Sequence, residues 1–253
     1  MPSANQSALR NRATGSSISA SSNAGDLVLD PFSGCGTAIT AAQKLDRRWI
    51  GIDLTHLAIA MHKARLKDMF NLEPGKDYAV IGEPEDINDA RQLAQDDRYQ
   101  FQWWALSLLK AKPLGGAEGS KSGKKGSDRG IDGVITFIDD PKGKTQTAVV
   151  QVKSGHVKSG DIRDLIGTVG NQNAAFGIFI TLEEPSQDML VAASTAGFYV
   201  SPIWQEKYPR IQILTINDML EGATPHLPRF TTGAFKAAPP VKKSEGTQSH
   251  LDL

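Results

Sequence analysis

Two neighbouring segments hold residues that together could act on a phosphodiester. Asp128-Arg129-Gly130-Ile131-Asp132-Gly133-Val134-Ile135 comes first, and Val149-Val150-Gln151-Val152-Lys153-Ser154-Gly155 follows. Both read as strands. Alternation along the second puts Gln151 and Lys153 on one face and Val152 on the other. If the strand carrying Asp132 pairs alongside, an acid, an amide and an ammonium converge. Asp132 could ligate Mg²⁺, and the Gln151 side-chain oxygen and the Val152 main-chain carbonyl would add the oxygen ligands this hard cation requires. Such an ion polarises a phosphoryl oxygen and helps make hydroxide from water. Lys153 could orient or deprotonate that water, or stabilise the charge that builds on phosphate. The same pattern fits a merely solvated strand face, and Asp132-Gly133 fits a simple turn.

A second group lies near the amino terminus. Asp30 closes a short apolar strand and is followed by Pro31-Phe32-Ser33-Gly34-Cys35-Gly36-Thr37 and a helix. Glycine allows a sharp turn and a close ligand approach, and a helix start offers free N–H groups to a polar or anionic group. Asp53 ends the next strand, where a carboxylate can accept ribose hydroxyls. The plainer alternative is a glycine turn with a capping aspartate.

These residues need elements to hold them. Asp26–Leu29 and Trp49–Ile52 read as strands, with helices over 38–45 and from Thr55 to about Met69, a β-loop-α-β-α order that implies parallel strands. Residues 71–97 are rich in Pro, Gly, Asp and Glu and read as a connector holding one short helix near 86–95. An aromatic-rich helix follows over 99–110. Strands fit at 131–138, 147–153, 176–181, 198–200 and 211–214, and helices at 161–170, 186–196 and 217–221. The expected map is a loose arm over 1–24, a partial cofactor-binding segment over 25–70, a linker over 71–97, a second domain over 98–221 and a disordered tail over 222–253.

Composition narrows the class. The 253 residues carry 28 Lys+Arg and 28 Asp+Glu, so no global charge marks a nucleic-acid binder and any such contact must be local. One cysteine, Cys35, excludes a disulfide scaffold within the chain and fits a reducing cytoplasm. No apolar run is long enough to span a bilayer and no signal peptide is visible, so the expectation is an intracellular, cytoplasmic protein without a membrane partner.

Two resemblances add to this reading. LDPFSGCGTAITAAQKLDRRWIGIDLTHLAIA resembles the S-adenosylmethionine motif of DNA amino-methyltransferases, which methylate the exocyclic amine of adenine or cytosine. The resemblance implies that Asp30, Phe32, Gly34 and Gly36 line the methionine side of the cofactor and that Asp53 holds its ribose. These enzymes also use an Asp/Asn/Ser-Pro-Pro-aromatic tetrad. Here the only Pro-Pro is Pro239-Pro240, followed by Val241. The expectation is therefore a carboxy-terminal remnant with no methyl transfer by this chain alone. GSDRGIDGVITF, VVQVKSG and GIFIT resemble the catalytic domain of Mrr-type restriction endonucleases, of the PD-(D/E)xK superfamily. That implies Asp132 as metal-binding acid and Lys153 as superfamily lysine, with Gln151 where most members carry an acid. Gln102 falls where a further glutamate is often found, and Asp128 or Glu118 could compensate.

The fold expected is α/β: a partial Rossmann-like methyltransferase segment, then a restriction-endonuclease-like domain with a mixed central sheet. The main functional expectation is an Mg²⁺-dependent DNA endonuclease of restriction-modification type, acting on double-stranded DNA. The alternative is the target-recognition or DNA-binding part of a split or truncated DNA methyltransferase, its nuclease domain inactive. Lys121, Lys124, Lys125 and Arg129 are the candidate phosphate contacts. His156 and Lys158 could assist, although a turn explains them too. Trp103 and Trp104 could stack on bases or pack in the core. Asp161, Arg163 and Asp164 read as helix capping. A homodimer or a separate methyltransferase subunit is the expected protein partner.

Overall fold

The computed structural model describes residues 14–114, 130–140, 142–228 and 231–232. The chain divides into two compact units. Among the described residues, 14–54 and 61–80 form the first, and 55–60 with the residues from 81 onward form the second.

In the first unit, β1 (Leu27–Asp30) pairs in parallel with β2 (Arg48–Gly51), in the register Leu29↔Ile50. α2 (Thr37–Lys44) makes the crossover between them, as a parallel pair demands. Its Ile39 packs so closely on Gly51 that a Cβ there would fall 2.1 Å from Ile39 Cδ1. The Trp49 indole N–H donates to Gln43 Oε1 at 2.8 Å on the same face. α3 (His56–Phe70) follows β2, and its residues from Met61 onward belong to this unit. Residues 14–21, expected in a loose arm, instead form a helix, α1. Its Ile18 is buried, and the chain just beyond it is fixed by the Arg47 guanidinium, which donates to the Ser22 carbonyl at 2.6 Å.

The second unit is a mixed sheet in the order β10-β4-β5-β6-β9, with β3 also on β4. Its strands are β3 (Lys112–Pro113), β4 (Gly133–Ile138), β5 (Thr145–Lys153), β6 (Phe176–Thr181), β9 (Ile211–Thr215) and β10 (Thr231–Thr232). β4 runs antiparallel to β5, whereas β5, β6 and β9 are parallel. β6 is buried along its whole length, as expected of a parallel strand covered on both faces. One face packs Val149, Phe179 and Ile211 under α6 (Ser159–Asn171) and α7 (Gln187–Ser194). The other packs Phe137, Val150 and Ile178 with Phe101, Trp104 and Leu106 of α5 (Arg98–Leu108), with Ala90 of α4 (Ile87–Asp96) and with Met219 of α8 (Ile216–Leu220). β7 (Phe198–Val200) and β8 (Lys207–Pro209) form a separate antiparallel pair.

Helix starts follow the local chemistry. Asp86 accepts from Asn88 and Asp89 N–H, Asp97 from Tyr99 and Gln100 N–H, and Ser186 from Met189 N–H, each supplying an acceptor to otherwise unpaired donors. Two expected boundaries change. Residues 87–96, expected inside a linker, form α4 and belong to the second unit, because Ala90 is wholly buried in its core. Residues 222–228 and 231–232, expected in a disordered tail, are ordered. Leu227 packs on the core, His226 lies 4.6 Å from the Tyr208 ring, and β10 pairs with β4.

Gly177 sets the spacing between β6 and its neighbours. A Cβ there would meet Val169 Cγ2 at 2.7 Å, Ile211 Cδ1 at 2.8 Å and Leu165 Cγ at 3.0 Å. Gly177→Ala is expected to lower the urea midpoint of the second unit by an overpacking cost of about 1–3 kcal/mol. An unchanged midpoint would mean that α6 can shift away from the sheet.

Candidate functional site

The strand ends bring the predicted residues of the second unit together, with roles other than those expected. Asp132 sits just before β4. Its N–H donates to the Val150 carbonyl at 2.9 Å, and its carbonyl accepts from Leu114 N–H at 2.9 Å. Its carboxylate oxygen Oδ2 accepts the Val152 N–H at 2.7 Å. The side chain thus continues the β4–β5 ladder after the main chain of β4 has turned away. Val152, expected to offer its carbonyl to a metal, holds Asp132 through its amide. Burial pushes the Asp132 carboxyl above its ordinary pKa. The Val152 N–H, Lys153 and Arg98 oppose this without cancelling it.

Lys153 closes β5, and its ammonium lies 4.0 Å from Asp161 Oδ1. Asp161 also accepts the Lys158 N–H at 3.0 Å at the start of α6, so the capping role read from the sequence is present and a second role accompanies it. Gln151 is buried, and its Oε1 has no hydrogen-bond partner among the described residues. Gly130, at φ 74°, carries the backbone over it, and a Cβ there would meet Gln151 Nε2 at 3.1 Å. That left-handed conformation suits glycine.

The described residues give no support for the expected Mg²⁺ here. One Asp132 oxygen is committed to the backbone. Gln151 brings no charge. No group of three or more His, Cys, Asp or Glu side chains suited to a metal occurs among the described residues. Mg²⁺ prefers several oxygen ligands, carboxylates above all. Trp104 is buried in the core, which removes it as a stacking platform. Gln102 lies half-buried on α5, and His156 and Lys158 are exposed. Lys121, Lys124, Lys125, Arg129, Asp128 and Glu118 lie outside the described residues.

In the first unit the loop between β1 and α2 is tied back on itself. Ser33 N–H and Oγ both donate to the Ile52 carbonyl, at 2.9 and 3.0 Å. Asp53 Oδ2 accepts the Gly34 N–H at 2.7 Å, so the acid expected to hold a ribose holds the glycine loop. Asp30 Oδ1 accepts from Phe32 N–H at 3.3 Å. His62 Nε2 lies 2.8 Å from the Gly34 carbonyl, and its ring backs Gly36 so closely that a Cβ there would fall 2.6 Å from Cδ2. Burial lowers the His62 pKa against the pull of the Gly34 carbonyl and Asp53. Sequence reasoning missed His62, Arg98 and the second role of Asp161. Only the position of His62 on the helix following Asp53 hinted at its place. Asp30, Phe32, Gly34, Gly36 and Asp53 gather at one end of the strand pair, with Phe32 86% exposed.

Residues 118–221 match the NACHT-associated inactive Restriction Endonuclease 1 family. That match overturns the expectation of a restriction-type endonuclease. Residues 15–63 match the DNA methylase family. The chain is 44% identical over 72 residues to type II methyltransferase M.HpaI of Haemophilus parainfluenzae, covering 28% of this chain and 23% of that protein. It is 41% identical over 61 residues to M.BamHI of Bacillus amyloliquefaciens, covering 24% of this chain and 14% of that protein. With M.EcaI of Enterobacter cloacae it shares 61% identity over 36 residues, covering 14% and 8%. The chain thus spans less than a quarter of the length of these relatives. No solved structure matches. The chain is an α/β protein that joins a methyltransferase-like segment to a restriction-endonuclease-like domain. No helix among the described residues is long and apolar enough to cross a membrane.

The Asp132 geometry fixes how stability depends on pH. A carboxyl whose folded pKa is raised favours folding fully only below its unfolded pKa. That contribution is lost as pH rises through the folded value, so at neutral pH the buried charge costs stability. Asp132→Asn keeps an acceptor for Val152 N–H and removes the charge. It is expected to be more stable than wild type at pH 7, with the difference closing as pH falls below the ordinary carboxylate range. Asp132→Ala leaves the N–H unpaired and is expected to cost about 1–3 kcal/mol. Chemical denaturation of the three proteins at several pH values checks both. A destabilised Asp132→Asn would show that the carboxylate charge itself is needed.

Proposed function

We propose that this chain is the DNA-binding, target-recognition part of a split or truncated site-specific DNA methyltransferase, and that its nuclease-like domain engages DNA without cutting it. The observation that carries this reading is the match of residues 118–221 to an inactive restriction-endonuclease family. Beside it, Val152 N–H occupies Oδ2 of Asp132, the acid that the nuclease expectation gave to a metal, at 2.7 Å. The match to the DNA methylase family supports the reading too.

On this reading the domain keeps the strand arrangement of an Mrr-like PD-(D/E)xK nuclease as a scaffold. Its ligand is double-stranded DNA. Lys153, partly exposed at the end of β5, and the basic residues Lys121, Lys124, Lys125 and Arg129 contact phosphates. In the first unit, Asp30, Phe32, Gly34, Gly36 and Asp53 form one wall of an S-adenosylmethionine site. That cofactor would supply the methyl group. The chain's own part is to present backbone amides and two carboxylates to it once the opposite wall is in place.

The chain is expected to bind duplex DNA in the presence of EDTA, as measured by fluorescence anisotropy. Replacing Lys121, Lys124, Lys125 and Arg129 by Ala should weaken binding and flatten its salt dependence by about one unit of slope for each phosphate no longer neutralised. Supercoiled plasmid should stay intact with Mg²⁺ or Mn²⁺. Absence of binding in EDTA, or nicking that Lys153→Ala abolishes, would reject this reading.

A further inference from the structure

The turn between β1 and α2 is held peptide by peptide. Ser33 N–H and Oγ both donate to the Ile52 carbonyl, and Gly36 N–H donates to the Ser33 carbonyl at 2.7 Å. Asp53 Oδ2 takes the Gly34 N–H at 2.7 Å. The peptide between Gly34 and Cys35 is held from α3, where His62 Nε2 lies 2.8 Å from the Gly34 carbonyl. A carbonyl only accepts, so Nε2 carries the hydrogen and donates. His62 is 7% exposed, and its ring lies under Gly36, where a Cβ would fall 2.6 Å from Cδ2. Burial, with help from Arg65, lowers its pKa against the pull of the Gly34 carbonyl and Asp53. The imidazole is therefore neutral at neutral pH. In a planar trans peptide the C=O and N–H point opposite ways, and no cis bond occurs among the described residues. With the Gly34 carbonyl turned to α3, the Cys35 N–H faces away from α3. Cys35 is exposed there. Gly34, at φ 47°, gives that peptide little rigidity of its own.

We propose that His62 is a positioning residue of the cofactor site: by holding the Gly34 carbonyl it turns the Cys35 main-chain N–H outward, toward the carboxylate on the methionine side of S-adenosylmethionine. His62 acts through the peptide and not by contact, because its ring is buried behind the loop. It divides the work with Asp53, which holds the amide of Gly34 while His62 holds the carbonyl. A packing role alone would need only bulk beneath Gly36. Orienting the peptide needs a donor where Nε2 stands, and an outward N–H is the group that a carboxylate accepts from. The inference rests on the methyltransferase half of the reading above and not on its DNA-binding half.

The test uses the full ¹⁵N-labelled chain as wild type, His62→Gln and His62→Leu, each checked by circular dichroism and thermal unfolding. Glutamine can present an N–H where Nε2 stands. Leucine fills the space and donates nothing. Without ligand, wild-type His62 should show the neutral Nε2–H tautomer. The Cys35 and Gly36 amide signals should be alike in wild type and His62→Gln, and displaced or broadened in His62→Leu. S-Adenosylmethionine, added to millimolar concentration so that weak binding by one wall is seen, should shift the Cys35 amide. Its affinity should fall roughly tenfold in His62→Leu, the size of one lost hydrogen bond, and return in His62→Gln. An Nδ1–H tautomer, a Cys35 amide indifferent to His62→Leu, or an affinity that glutamine does not restore overturns the proposal. An equal cofactor response in all three proteins leaves the cofactor reading standing and overturns the role of His62 alone. No response in wild type overturns the cofactor reading and this inference with it. Should His62→Leu not fold, the wild-type tautomer and the His62→Gln response decide on the same terms.

Discussion

The bond between the Asp132 carboxylate and the Val152 amide organises the end of the second sheet. β4 and β5 part company at Asp132, where the backbone turns to meet Leu114. Val152 N–H would otherwise be left without a partner in a partly buried place, which is costly. The carboxylate oxygen at 2.7 Å supplies that partner. The ladder therefore runs one step further than the strand, and the Gly130 turn is drawn over Gln151.

Each neighbour is constrained by that choice. An acid spent on a backbone donor has less to give to a cation, and burial of its charge is reflected in the raised pKa. Lys153, which in a cutting enzyme would face the scissile phosphate, lies near Asp161 at the start of α6. Gln151 keeps the shape of a ligand and none of the charge. What remains at this strand end is a partly exposed lysine beside a buried, uncharged amide.

Much of the fold was legible in the sequence because its elements are strongly patterned. FGIFIT reads as a buried strand, and it is one. TAVVQVK shows the alternation that separates Val149 and Gln151 from Val150, and the core divides accordingly. Short or polar elements were not legible. β3 is Lys112-Pro113, β8 is Lys207-Tyr208-Pro209, and α1 has Ile18 as its one buried apolar residue. They exist because distant residues hold them. The site was half legible. The sequence placed Asp132, Gln151 and Lys153 on adjoining strand ends. It could not show that a backbone N–H would claim the carboxylate or that Asp161 would come to lie 4.0 Å from the lysine. Both facts depend on how β4 ends and on where α6 begins, and neither follows from residue type or spacing. The Asp53–Gly34 bond in the first unit has the same character.

The proposed non-cutting reading requires that the Asp132 carboxylate, held by Val152 N–H, takes no metal. A titration with Mg²⁺ followed by the ¹⁵N–¹H resonances of Val152, Lys153 and the Gln151 side chain tests this. With the carboxylate held by Val152, these signals keep their positions through millimolar Mg²⁺, and the Val152 amide stays protected from exchange throughout. A saturable one-to-one shift centred on Val152 and Gln151, accompanied by loss of Val152 protection, would assign the carboxylate to the metal instead.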